Sequence, residues 1–275
     1  MSFTTADVVK LRKVTGAGMM DCKNALNEAD GNFDRALEII REKGKLVASK
    51  RADRDAAEGV VLAKVNADNK FGAMVVLNCE TDFVAKNENF VAFADSILDL
   101  ALANKAANLE AVKALELDGR TVEAQVTEQT GVIGEKIELS YYNCVAAETV
   151  ISYIHPGNKL ATLVGFNKDG VDIQVAKDVA MQVAAMAPIA VDKNSVPQDV
   201  VEKELEIAKE KYRQEGKPEA MLDKIAQGAL NKFFQESTLL NQTYVKDGKI
   251  SIKEFLAQND KALTVTTFDR YTLNA

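Results

Sequence analysis

The chain has 275 residues, 47% of them apolar and 27% charged, with a formal net charge of −7. This is apolar material for more than one core, and the acidic balance argues against a nucleic-acid backbone as the main partner, because binding one draws on clustered Lys and Arg. Three cysteines without metal or disulfide spacing, Cys22, Cys79 and Cys144, read as free thiols in a reducing compartment.

In chain order, Met1-Ser2-Phe3-Thr4-Thr5 has no basic stretch leading into an apolar run, so no signal peptide is expected. Three short helices follow. The first starts after Thr5 as N-cap and carries Val8, Leu11 and Val14. Gly16-Ala17-Gly18 breaks it. The second carries Met19, Cys22, Leu26 and Ala29. After the Asp30-Gly31-Asn32 turn, the third carries Phe33, Ala36, Leu37 and Ile40 and is predicted to stop at Gly44. Residues 43–58 are basic and Ala-rich, with Lys43, Lys45, Lys50, Arg51 and Arg54, and read as a partly helical linker or a short RNA contact.

The period then changes. Val60–Leu62 and Met74–Leu77 flank an Asn-Ala-Asp-Asn-Lys turn and predict a β-hairpin. A loop is expected at 80–88, a helix at 89–104 with Phe90, Phe93, Ala94, Ile97 and Leu98 inside, a helical region at 109–131 and a strand at 136–145. The hairpin-then-helix order returns with Val150–Ile154, the turn His155-Pro156-Gly157-Asn158, Leu160–Phe166 and a helix through Ile173, Val179 and Met186. This weak repeat suggests two α+β lobes side by side.

Pro188 and Pro197 mark a boundary. Val201, Leu205, Ala208 and Tyr212 then step by four, three and four residues, and beyond Gly216-Lys217-Pro218 a second helix carries Met221, Leu222, Ile225, Leu230 and Phe233. This predicts an antiparallel helical hairpin whose seam needs a partner, either the body or a second copy. Residues 243–275 read strand, helix, strand and would complete the second lobe. The expected fold class is α+β: 1–55 a three-helix unit with its basic linker, 56–148 one lobe, 149–187 with 230–275 the other, and 188–229 the inserted hairpin. No stretch approaches the roughly 18 apolar residues of a membrane span, so the chain is expected to be cytoplasmic.

Catalytic equipment is sparse. His155 is the sole histidine. Its spacing to Cys79 or Cys144 matches no nucleophilic motif, which leaves turn, core or partner contact as its role. Gly16-Ala17-Gly18 follows a helix rather than a strand and lacks the Gly-Lys-Ser/Thr of a phosphate loop. The carboxylates have no metal-ligand spacing. No catalytic residue, metal or cofactor is therefore expected. Two features are left over. Met19 and Met20 are adjacent, so one can face the core and the other should be exposed, unless the linker covers both. Phe83, in Thr81-Asp82-Phe83-Val84, is either an aromatic folded back on the core or an exposed contact.

Leu11-Arg12-Lys13-Val14-Thr15-Gly16-Ala17-Gly18-Met19-Met20-Asp21-Cys22-Lys23-Asn24-Ala25-Leu26 closely resembles the N-terminal signature of the elongation factor Ts family. Asn78-Cys79-Glu80-Thr81-Asp82-Phe83-Val84-Ala85 resembles its second signature. The likeness extends over essentially the whole chain. It implies a ubiquitin-associated-like N-terminal domain, two core lobes and a coiled-coil dimerisation hairpin, here 198–228. It also implies non-covalent guanine-nucleotide exchange on elongation factor Tu, bound to GDP or nucleotide-free. On this resemblance Asp82 and Phe83, flanked by Thr81 and Val84, reach the GTPase near its switch II and magnesium site. Arg12, Met19 and Met20 touch a helix of the GTPase domain, and His155 is a further contact. The turn reads His-Pro-Gly, where members often read His-Gly. Some members carry a further C-terminal helical module; Leu273-Asn274-Ala275 directly follows the last strand pattern, so none is expected here.

Overall fold

Thr4, rather than Thr5, caps the first helix. In the computed structural model, which describes residues 3–274, the Thr4 hydroxyl accepts the Asp7 amide at 3.3 Å and the Asp7 carboxylate accepts the Thr4 amide at 2.8 Å. This reciprocal box makes Thr5 the first residue of α1 (Thr5–Thr15). Met1, Ser2 and Ala275, on which the expectations about the two chain ends partly rest, lie outside the described residues.

With α2 (Met19–Glu28) and α3 (Phe33–Lys50), α1 encloses a small core of Val8, Leu11, Cys22, Leu26, Ala36 and Ile39. Val14, expected inside, is exposed, and α3 fully buries Ile39 while Phe33, Leu37 and Ile40 are only partly covered. Nor does α3 stop at Gly44. Glycine in a helix interior costs about 1 kcal/mol against alanine, but here its bare backbone is packed against Glu128 and Gly131 of a later helix. The first half of the expected linker is therefore helix, up to Lys50. Two of its cations are paired, Lys43 with Glu28 at 2.9 Å and Arg51 with Glu80 at 2.8 Å.

The body begins with β1 (Glu58–Val65) and β2 (Phe71–Cys79), the expected hairpin. A single helical turn, α4 (Asp82–Ala85), replaces the expected loop and leads to α5 (Glu88–Ala103). The region 109–131 divides into α6 (Leu109–Ala114) and α7 (Val122–Ile133). Between them a ladder of β3 (Glu116–Leu117) and β4 (Arg120–Thr121) closes on Asp118 and Gly119, both at positive φ. Next come β5 (Glu138–Ala146), β6 (Thr149–Ile154), β7 (Leu160–Phe166) and α8 (Ile173–Met186). The hairpin is α9 (Gln198–Gln214) and α10 (Glu219–Ser237). α10 runs unbroken through residues 229 and 230, where the sequence reading divided hairpin from second lobe. A small ladder, β8 (Thr243–Tyr244) with β9 (Asp247–Ser251), then α11 (Ile252–Asn259) and β10 (Val265–Thr272) complete the chain.

Two antiparallel three-stranded sheets result, ordered β1-β2-β5 and β10-β7-β6, so the last strand does join the second sheet. The sheets stack face to face instead of lying side by side. Val61, Ala63, Met74 and Val76 of the first meet Val150, Ala161 and Leu163 of the second. The alternate residues Val60, Leu62, Val75 and Leu77 pack beneath Ile97 and Leu98 of α5 and Val126 of α7. β1 and β2 are thus covered on both faces, which is why their sequence is a continuous apolar run instead of an alternation. α8 covers the outer face of the second sheet, giving an α+β arrangement of helix, sheet, sheet and helix layers. Among the described residues no helix is long and apolar enough to cross a membrane.

Candidate functional site

β2 ends at Cys79, and the chain turns at once into α4. The Thr81 hydroxyl caps this turn by accepting the Val84 amide at 3.4 Å. One turn of helix has one inward side. Ala85 takes it, Val84 is half-buried, and Phe83 is left 84% exposed. The ring is therefore exposed and not folded back on the core. Asp82 does not project freely, since Lys86, four residues on, donates to its carboxylate at 2.6 Å and holds that carboxyl below its usual range.

The base of the turn is clasped from α7's far end. Glu135 accepts three hydrogen bonds: from the Glu80 amide at 3.1 Å, the Thr81 amide at 3.0 Å and the Thr81 hydroxyl at 2.7 Å. Glu80 in turn accepts the Lys136 amide at 2.6 Å and Arg51 Nη1 at 2.8 Å, and these bonds depress its carboxyl. Cys79 lies beneath. Burial, followed by the nearby Glu135 carboxylate, pushes its thiol up to about 12. A thiol so disfavoured as thiolate is no nucleophile at neutral pH.

His155 is exposed at the head of its turn. Its amide donates to the Leu160 carbonyl at 2.9 Å, and Nδ1 lies 3.0 Å from the Tyr153 hydroxyl, so its side-chain partner is a tyrosine and not a cysteine. The turn lies near α4: Lys159, just beyond it, pairs with Glu58 at 2.8 Å and adds to the field that lowers the Asp82 carboxyl.

The N-terminal candidates lie on the helical unit. Arg12 is exposed on α1. Neither methionine is inside. Cys22, Ala25 and Leu26 fill the inner face of α2, leaving Met19 37% and Met20 63% exposed. The glycine turn before them rests on α7, with an ideal Cβ on Gly16 standing 3.4 Å from Val132 Cγ1. α7 therefore supports the N-terminal segment on its flank and the Phe83 turn at its end. The Asp82–Lys86 spacing was readable in the sequence. Glu135 was not, because 54 residues separate it from Thr81.

The family model described as "Elongation factor TS" matches residues 80–275, from the clasp to the end of the chain. The Elongation factor Ts of Porphyromonas gingivalis (strain ATCC 33277) is 53% identical over 277 residues, covering 100% of both chains. The chain belongs to the elongation factor Ts family. Further members resemble it as closely: that of Azobacteroides pseudotrichonymphae is 53% identical over 274 residues, 100% of this chain and 99% of its own. That of Christiangramia forsetii is 53% identical over 272 residues, 98% of each. The family model begins after Arg12, Met19 and Met20, and these positions fall within the full-length likeness to individual members. Family membership makes this a factor of translation elongation in protein biosynthesis.

Proposed function

We propose that the chain is a guanine-nucleotide exchange factor that binds elongation factor Tu in its GDP-bound and nucleotide-free forms and speeds GDP release. It does so by pressing the Asp82-Phe83 turn in near switch II and the magnesium site. The observation that carries this reading is Phe83 itself, a large aromatic left 84% exposed on a capped and clasped turn. An aromatic side chain in that setting contributes nothing to its own fold and is available to a partner's.

No covalent step is involved. A factor that binds the nucleotide-free GTPase more tightly than the nucleotide-bound form must, by linkage, weaken nucleotide binding equally. Each tenfold in release rate corresponds to about 1.4 kcal/mol of barrier, and burial of one Phe side chain supplies roughly 1.5–3 kcal/mol. Phe83 thus accounts for one to two decades. More requires Arg12, Met19, Met20 and His155 as further contacts, and displacement of groups around a magnesium ion that tolerates little departure from octahedral geometry. In this reading Thr81 and Val84 seat the turn, and residues 1–55 are the ubiquitin-associated-like unit. The hairpin, extended here to Ser237, is a coiled-coil surface for a second copy, supported by Ile207 and Met221, each about half exposed. The protein works in the cytoplasm, where its partner does.

The test is to mix the purified chain with elongation factor Tu carrying a fluorescent GDP. Accelerated release, and a nucleotide-free complex that excess GDP dissociates, are expected. Release at the spontaneous rate would sink the reading.

A further inference from the structure

A four-residue helix does not hold its own shape in water, because nucleating a turn fixes several dihedrals for a single hydrogen bond. α4 must be held from outside, and Glu135 is what holds it. Gly134 delivers that side chain. It caps α7 at φ +81°, its amide returning to the Thr130 carbonyl at 2.9 Å, and this left-handed residue swings the chain off the helix axis toward the end of β2. Glu135 then takes both amides and the hydroxyl that open the turn, at 3.1, 3.0 and 2.7 Å.

The clasp is reciprocal. Glu80, on the turn side, takes the amide of Lys136 at 2.6 Å, and Arg51, just after α3, donates to Glu80 at 2.8 Å. Two adjoining carboxylates thus each bind the backbone of the opposite segment, with a guanidinium from the helical unit reducing their repulsion. Such a backbone-to-carboxylate clasp fixes orientation, whereas the apolar contacts of Val84 and Ala85 resist removal without fixing the angle. Phe83 is two residues beyond the clasped Thr81 amide.

We propose that Glu135 is a positioning residue for nucleotide exchange, setting the aim of Phe83 through the backbone of residues 80–81. This rests on the exchange reading above. With the clasp intact, the turn meets the GTPase already ordered. Without it, the turn must be ordered during docking, and only part of the encounters place the ring productively.

The test uses the full chain and elongation factor Tu loaded with a fluorescent GDP analogue. It compares wild type, Glu135→Ala, Glu135→Gln, Phe83→Ala and the Glu135→Ala/Phe83→Ala double variant. Glu135→Ala is expected to lower the saturating release rate about tenfold while the half-saturating concentration stays within about twofold, the pattern of a misdirected group. Glu135→Gln, which keeps an acceptor oxygen, recovers part of the loss. The double variant is no slower than Phe83→Ala alone, and in the free protein the Glu80 and Thr81 amides of Glu135→Ala exchange hydrogen faster. A slow Phe83→Ala beside a wild-type rate for Glu135→Ala removes Glu135 and leaves the exchange reading standing. A wild-type rate for Phe83→Ala overturns the wedge and this proposal with it. Losses that multiply in the double variant assign Glu135 a role apart from Phe83 and overturn the proposal. Should Glu135→Ala not fold, Glu135→Gln decides: a wild-type rate despite faster exchange of the Thr81 amide overturns it.

Discussion

Gly131 of α7 crosses Gly44 of α3 backbone to backbone: a Cβ placed on Gly131 would stand 2.2 Å from the Gly44 Cα. This crossing joins the three-helix unit to the body. Beside it, Glu128 of α7 faces both Arg120 and, at 3.5 Å, Arg41 of α3. A cavity of about 300 Å³ lies beside the crossing, lined by Val14, Leu37, Ile40, Val47 and Val132 among others.

Gly131→Ala should therefore force the helices apart and destabilise the protein by about 1–3 kcal/mol, the usual range for overpacking. Gly228→Ala in α10, where an added Cβ meets nothing within 4 Å, should have the opposite sign and stabilise by roughly 0.5–1 kcal/mol. Urea unfolding of both variants checks the contrast. Limited proteolysis of Gly131→Ala should show faster cutting in residues 51–57, between α3 and β1.

Phe83→Ala should leave stability within about 0.5 kcal/mol of wild type, because an exposed side chain has little fold to lose. Its catalysed GDP release should nonetheless slow by about ten- to a hundredfold, following the burial energy of one Phe. Thermal unfolding and stopped-flow release measure the two sides. A large loss of stability would mean that the ring packs on the body in solution.

Asp178 binds α8 to the β8–β9 ladder. Its carboxylate accepts Tyr244 Oη at 2.6 Å, Lys246 Nζ at 2.7 Å and Gln174 Nε2 at 2.7 Å. Burial alone would raise this carboxyl, but the bonds from Lys246, Tyr244 and Gln174 together outweigh it and hold it below its ordinary value. A depressed carboxyl contributes stability above its unfolded value, about 3.9, and the contribution is lost as pH falls through the folded value. Asp178→Asn should cost about 1–3 kcal/mol at pH 7, and its deficit against wild type should shrink steadily below pH ~4. Urea midpoints from pH 7 down to pH 3 follow this.

The hairpin leaves and rejoins the body at one place. Ala190 bridges Thr238 in parallel, and the Leu239 and Leu240 amides donate to the Ala190 and Val191 carbonyls, each at 2.9 Å. Among the described residues, the core of the second lobe takes none from α9 or α10, whose own seam is filled by Ala208, Leu222, Ala226 and Leu230. Replacing 198–228 by a short Gly/Ser linker should leave the body's unfolding midpoint nearly unchanged. Sedimentation should show a dimer for the full chain and a monomer for the shortened one. A full chain that sediments as a monomer ends the pairing idea.

Local signals carried the reading wherever the determining residues are neighbours. The β1–β2 hairpin, the α5 inner face, the His155 turn and the α9–α10 hairpin all follow from side-chain period and from Gly, Pro or Asn at the turns, because strand and helix repeats depend on adjacent backbone geometry. The same signals misled where a distant surface decided. Gly44 looked like a helix end and is instead a close contact with a helix 87 residues later (131 − 44). Residues 80–88 looked like a loop because one capped turn is too short to show a period, and the ladder at 116–121 was absorbed into a helix for the same reason.

The sequence by itself determined the family, through two long signatures, and with it the residues worth watching: Arg12, Met19, Met20, Asp82, Phe83 and His155. Where those residues stand in the folded chain was decided only in three dimensions. Phe83 is exposed because Ala85 occupies the inward side of α4, both methionines are exposed because Cys22 and Leu26 fill the face of α2, and the turn holds its angle because Glu135 returns from the end of α7. Orientation of this kind depends on which distant surface covers a residue and which carboxylate reaches its backbone, and neither is encoded in the residue's immediate neighbours.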